Sequence, residues 1–196
     1  RQDVDGQHKA AVHVAEFGNH GIFDIGGVIL QVEHPAPSLI DAEVVLLKFH
    51  GIDTISKVYL NGSLLGTTDN MHRTYVYDVT SVISDGENTL RIEIYSPLKY
   101  IAEKQEKDPM WGVSSTVAGY PHIRKAHYMY GWDWGPKLPD MGIWRDIYIE
   151  EVNGARIQNV QIRQQNEEEV SHLSVILKNE VMPSDTAGMI AECRVY

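Results

Sequence analysis

Leu90, Ile92 and Ile94 alternate with Arg91, Glu93 and Tyr95 in "LRIEIYS", and this period of two is the strongest constraint in the chain. It puts apolar side chains on one face of an extended strand and polar ones on the other, as in a half-buried antiparallel sheet. Neighbouring segments agree. "EVVLLKFH" is an apolar, β-rich run, "DTISKVYL" follows it, and Asn61-Gly62 supplies the positive φ that a two-residue hairpin turn needs. "RTYVYDVT" predicts a further strand, and "SDGEN" a turn. "GIWRDIYIEE" returns to alternation, with Ile143, Arg145, Ile147 and Ile149 set against Trp144, Asp146, Tyr148 and Glu150. One helix is expected, in "PLKYIAEKQEKD", with Pro97 in its first turn and Pro109 at its end.

The two ends of the chain differ in texture from this middle. In residues 1–40, "AVHVAEF" and "GVILQVEH" read as strands interrupted by Gly18, Gly21, Gly26 and Gly27, and "HPAPS" closes the region. After Asn153-Gly154, "ARIQNVQIRQQ", "EVSHLSVILKN" and "GMIAECRVY" read as three strands of a second β unit. An immunoglobulin-type sandwich takes about seven strands in about 100 residues, so residues 152–196 are expected to hold only the start of one. The expected architecture is all-β: a jelly-roll-like sandwich over residues 1–151, then the first strands of another.

Charge and motif content narrow the function classes. The net charge of −10 comes from 27 acidic against 17 basic residues, and no run of Lys or Arg forms a stripe that tracks phosphates. Nucleic acid and anionic membranes are therefore poor partners, and no apolar run approaches the roughly 20 residues of a membrane span. The one cysteine, Cys193, excludes an intrachain disulfide and fits a reducing, cytoplasmic compartment without requiring it. His122 and His127 in "PHIRKAH" match no zinc spacing, and no G-x-S-x-G, P-loop or dinucleotide fingerprint occurs. No metal and no cofactor is expected.

The long connection from Met110 to about Met141 carries the chemistry. Structureless loops longer than roughly 12–15 residues are uncommon unless they are functional. Within this one, "GWDWGP" sets Asp133 between Trp132 and Trp134, and Gly131, Gly135 and Pro136 oppose any regular strand or helix. Sugars present apolar C–H faces and a rim of hydroxyls, which aromatic platforms beside carboxylates suit. The alternative is that both indoles fill the core and Asp133 caps a turn; the overlong, glycine-bracketed setting weighs against it. Arg124 and Lys125 either bind a carboxylated sugar or pair with the excess acid, and the second is the simpler reading. Glycoside hydrolysis needs two carboxyl groups about 5–5.5 Å apart for retention or about 6.5–9.5 Å for inversion. Glu103 and Glu106 lie on the expected helix among lysines, and Glu167 to Glu169 form a solvated turn, so no catalytic residue is expected in this chain.

Three stretches, "GIDTISKVYLNGSLLGTTDNMHRTYVYDVT", "GENTLRIEIYSPLKYI" and "HIRKAHYMYGWDWGPKLPDMGIWRDIYIE", resemble the N-terminal sugar-binding domain of the β-mannosidases of glycoside hydrolase family 2. The resemblance runs over about residues 40–196. The "GIWRD" segment and the "VYLNG" hairpin are similar across family 2, whereas the W-D-W-G-P run resembles the mannosidase branch alone. It implies a galactose-binding-domain-like jelly roll followed by an immunoglobulin-like domain and a C-terminal (β/α)8 barrel with two catalytic glutamates. It further implies that Trp132 and Asp133 bind substrate in the terminal mannose subsite, with Trp134, Asn70 and Arg124 as contacts or supports. The N-terminus departs from the pattern: "FDIGGVILQVEHPAPS" stands where the family carries a W-x-Y or F-x-F strand.

The implied activity is that of a retaining exo-β-mannosidase acting on terminal β-mannosides of oligosaccharides, with the barrel of the same polypeptide as partner. Two other readings stay open. One is a stand-alone carbohydrate-binding module; the other is a family 2 hydrolase acting on β-galactosides or β-glucuronides.

Overall fold

The computed structural model describes residues 9–11, 27–36, 42–168 and 170–181. In chain order the strands are β1 Lys9–Ala11, β2 Gly27–Ala36, β3 Val44–Phe49, β4 Ile52–Asp53, β5 Ser56–Leu60 and β6 Ser63–Thr68. They continue as β7 Tyr75–Asp78 and β8 Gly86–Tyr95, then helix α1 Pro97–Lys107, then β9 Gly142–Ile143, β10 Ile147–Val152, β11 Ala155–Asn166 and β12 Ser171–Val181. Two four-stranded sheets, ordered β1-β10-β3-β7 and β2-β8-β5-β6, make up the body of the fold.

Alternation is what joins these sheets. Val45, Leu47 and Phe49 of β3, Tyr75 of β7 and Ile147 of β10 meet Val58 and Leu60 of β5 and Leu90, Ile92 and Ile94 of β8 in one buried cluster. Arg91, Glu93 and Tyr95 take the opposite face of β8, where Glu93 accepts from Arg91 Nη1 at 2.7 Å and from the Tyr95 hydroxyl at 3.1 Å. The architecture is an all-β sandwich, as the alternating pattern predicts. The β5–β6 hairpin turns at Asn61, with φ 50°, and Gly62, with φ 81°. Asn61 is fixed there by its own amide, which donates to the Val82 carbonyl at 2.8 Å and accepts from the Thr89 N–H at 2.9 Å.

Three expected elements, two strands and a turn, come out broken or shorter. "DTISKVYL" is divided at Thr54-Ile55 between β4 and β5, and "GIWRDIYIEE" at residues 144–146 between β9 and β10. The "SDGEN" turn is cut short because β8 already begins at Gly86. The β4–β9 pair is a separate two-stranded sheet, with Ile52 opposite Ile143 and Asp53 opposite Gly142. Strand β2 runs antiparallel to β8 over its full length, so "GVILQVEH" is a strand whose glycine lies at its first position. Of "AVHVAEF" only Ala11, in β1, is described; "GMIAECRVY" and Cys193 lie outside the described residues. Among the described residues β11 and β12 pair only with each other, and Ile157, Val160, Ile162 and Leu173 are exposed.

Helix α1 matches its expected bounds for local reasons. Ser96 caps it by accepting from the Lys99 N–H at 3.4 Å, Pro97 takes the first position, and Lys104 and Lys107 sit by the C-terminal carbonyls. Its buried face carries Ile101, which packs with Ile123 and Tyr130 and, around them, Ile55, Tyr100, Val117 and Tyr120. This second small core lies under the long connection and gives it a floor.

Candidate functional site

The connection from Met110 to Met141 is ordered by that floor. Two 3₁₀ turns, Tyr120–His122 and His127–Tyr130, bring Tyr120 and Tyr130 to α1. At the entry Gln105 clamps Met110 from both sides, donating to its carbonyl at 3.0 Å and accepting from its N–H at 3.1 Å. The Val117 N–H donates to the Tyr130 carbonyl at 3.0 Å, so the incoming and outgoing arms of the loop are hydrogen-bonded. Gly131 follows with φ 122°, and a Cβ there would lie 2.9 Å from the Ser115 carbonyl oxygen. Only glycine combines that backbone angle with so close an approach.

Beyond Gly131 the chain turns outward. Trp132 is 62% exposed and Trp134 87% exposed, and Asp133 between them is exposed as well. The indoles therefore do not fill the core, and among the described residues nothing bonds the Asp133 carboxylate. The loop thus presents two largely exposed indoles and, between them, a carboxylate with no partner among the described residues, on a backbone held from below.

Asn70 and Arg124 are brought together at the backbone, where they form an isolated parallel bridge and the Met71 N–H donates to the Arg124 carbonyl at 3.0 Å. The Asn70 side chain is spent locally, accepting from the His72 N–H at 2.9 Å, while the Arg124 side chain is exposed. No hydrogen bond or ion pair among the described residues joins either side chain to Trp132, Asp133 or Trp134. His122 is hydrogen-bonded to Gln105 Oε1 at 3.1 Å and His127 packs edge-on against Tyr120 at 4.9 Å between centroids. Among the described residues no group of three His, Cys, Asp or Glu side chains is placed to hold a metal.

Lys125 pairs with acid, the simpler of its two readings, but at an unexpected depth. Its side chain is fully buried and its ammonium contacts the Asp53 carboxylate, to which the Thr54 hydroxyl also donates. Burial, and secondarily the charge of Asp53, raises the Tyr130 phenol above its ordinary range. Two groups escaped the sequence reading. Trp111, 88% exposed beside the clamped Met110, was legible only as one more aromatic in a long loop. Asp53 gave no signal, because its partner lies 72 residues away.

Taken together, the fold and loop define a β-sandwich domain that presents a supported aromatic loop to solvent. The profile of the glycosyl hydrolase 2 galactose-binding domain-like family matches residues 30–145. The chain belongs to that family. It is 38% identical to a β-mannosidase of Bos taurus over 117 residues, 56% of this chain and 13% of that protein. It is 36% identical to β-mannosidase B of Aspergillus terreus over 127 residues, 63% of this chain and 15% of that one. Among solved structures, a β-D-mannosidase from Dictyoglomus thermophilum superposes with a TM-score of 0.73 at 31% identity, over 79% of this chain and 19% of that chain. A β-glucuronidase of an uncultured Clostridium shares the fold alone, at TM-score 0.57 and 16% identity, over 81% of this chain and 25% of that one. The chain thus spans between an eighth and a quarter of the length of these relatives. Among the described residues no helix is long and apolar enough to cross a membrane.

Proposed function

We propose that this chain is the N-terminal part of a retaining exo-β-mannosidase, which removes terminal non-reducing β-D-mannose from oligosaccharides. In this reading Trp132 walls the mannose subsite and Asp133 holds sugar hydroxyls. Trp134, with Asn70 and Arg124 through the backbone they share, supports the same wall. The two catalytic glutamates belong to a (β/α)8 barrel elsewhere in the polypeptide, and this chain alone is inactive. Glu103 and Glu106 are exposed on α1 and Glu167 is exposed in a turn, which supports that assignment. Strands β11 and β12, with an apolar surface left open, are read as the start of an immunoglobulin-like domain from residue 152.

The observation that carries the reading is the exposed Trp132-Asp133-Trp134 run on a supported loop, in a chain 38% identical to a β-mannosidase. The neighbours that act on glucuronides fall at 16% identity or below and argue for the fold only. The test compares hydrolysis of nitrophenyl β-mannoside, β-galactoside and β-glucuronide by the whole protein. A carboxylate–hydroxyl bond is worth about 1.5–3 kcal/mol, so Asp133→Ala is expected to lower kcat/KM by roughly 10- to 100-fold on the mannoside. Preference for another glycoside, or unchanged kinetics in a folded Asp133→Ala protein, overturns it.

A further inference from the structure

Lys125 opens, and Asp140 closes, the segment that carries Trp132, Asp133 and Trp134. Both meet at one ammonium: Lys125 Nζ lies 3.7 Å from Asp140 Oδ1 while it contacts the Asp53 carboxylate below. Asp53 belongs to β4 and pairs with Gly142 of β9, two residues past Asp140, so the neck of the loop stands on a strand pair. Tyr130, fully buried, lies inside the same neck, near enough for Asp53 to act on its phenol. A buried ammonium holds its charge only when it is paired, so the Lys125 side chain is not free to leave Asp53. Its hold on Asp140 is of another kind, because the Asp140 side chain is 80% exposed and contributes little to stability.

From this geometry we infer that Lys125 is a positioning residue for the sugar-binding loop: its buried ammonium ties both ends of the loop to Asp53 and so sets where Trp132 and Asp133 stand. The inference rests on the sugar-site reading given above. It separates a structural pair, Lys125 with Asp53, from a geometric one, Lys125 with Asp140. Loss of one partner of the first strands a buried charge and weakens the fold, whereas neutralising both partners together, or losing the second pair, frees the loop without unfolding anything.

The test uses the whole hydrolase and two variants. Asp140→Asn removes only the exposed carboxylate charge. Lys125→Met with Asp53→Asn neutralises the buried pair together, which avoids stranding one charge in the interior. Each is read by its melting temperature, by the rate of trypsin cleavage at Lys137 inside the loop, and by kcat and KM on nitrophenyl β-mannoside. Melting close to wild type, faster cleavage at Lys137 in both variants, and a kcat/KM lower by about 3-fold in Asp140→Asn and about 10-fold or more in the double variant are expected. Cleavage at the wild-type rate in both variants overturns the inference whatever sugar is bound. So does faster cleavage with unchanged kcat/KM, because a loop freed without cost to the kinetics is not one whose position the Lys125 pin sets for the sugar. A wild-type hydrolase inactive on every mannoside but with a loop freed in the variants sinks the substrate reading and leaves the pin standing.

Discussion

Trp144 Nε1 donates to the backbone carbonyl of Met71 at 2.9 Å, across 73 residues of sequence. The same indole lies against Gly51, and the Trp144 N–H donates to the Gly51 carbonyl at 3.4 Å. Met71 in turn donates to Arg124 at the mouth of the aromatic loop. One ring therefore links the break between β9 and β10, the chain before β4, and the segment that enters the aromatic loop.

That arrangement depends on the absence of a side chain at Gly51. A Cβ there would lie 2.8 Å from Trp144 Cε2, closer than real Cβ contacts allow, so Gly51→Ala displaces the indole. Overpacking of this sort costs about 1–3 kcal/mol. Urea denaturation of Gly51→Ala is expected to show a lower midpoint with an unchanged slope. Trp144→Phe, which leaves room at Gly51 but drops the bond to Met71, is expected to lose about 1 kcal/mol. An alanine variant as stable as wild type would mean that the ring is not held at Gly51.

The strands and the site were legible in the sequence to different depths. Alternation in "LRIEIYS" and the Asn61-Gly62 pair are local signals, and a local signal fixes which face of a strand is buried and where a hairpin turns. The glycines and proline around Trp132 and Trp134 are local too, and the indoles emerged exposed as those breakers implied. Glu150 shows where locality ends. Alternation assigns it to the polar face, yet it is 4% exposed because Lys48 and Arg156 cover it with ion pairs. Lys125 shows the same limit, since nothing in "PHIRKAH" marks a lysine whose counter-charge lies on β4.

Tyr77 gives the protein a pH dependence at the alkaline end. Its hydroxyl is buried with no hydrogen-bond partner among the described residues, and its ring meets Phe49 edge-on at 6.1 Å. Burial, with a smaller push from Tyr75, drives the phenol up to about 12. In the unfolded chain it ionises near its ordinary value of about 10, so between about pH 10 and pH 12 the unfolded chain holds fewer protons than the native one. Stability is intact below that window and falls as pH rises through it. Tyr77→Phe is expected to flatten the fall, leaving the share due to Tyr130, and to be neutral or stabilising by up to about 1 kcal/mol at neutral pH. Denaturation midpoints of both proteins across this range check the sign, and a clear loss of stability at neutral pH would reveal a partner for the hydroxyl.

In the proposed reading the aromatic loop separates binding from stability. Trp134 is 87% exposed and Trp132 62% exposed, so neither indole contributes much buried area to the sandwich. Substitutions away from buried features usually change stability by no more than about 0.5 kcal/mol. Trp132→Ala and Trp134→Ala are therefore both expected to melt like the parent protein. A Trp132→Ala protein that loses more than about 2 kcal/mol would return the indole to the core, as in the alternative reading of W-D-W. On substrate the two are expected to part, because only Trp132 is assigned to wall the mannose subsite. Its loss should lower kcat/KM by roughly 10-fold or more, and that of Trp134 by less. Equal effects would mean that both rings share the sugar, and that the platform is twice as wide as the one proposed.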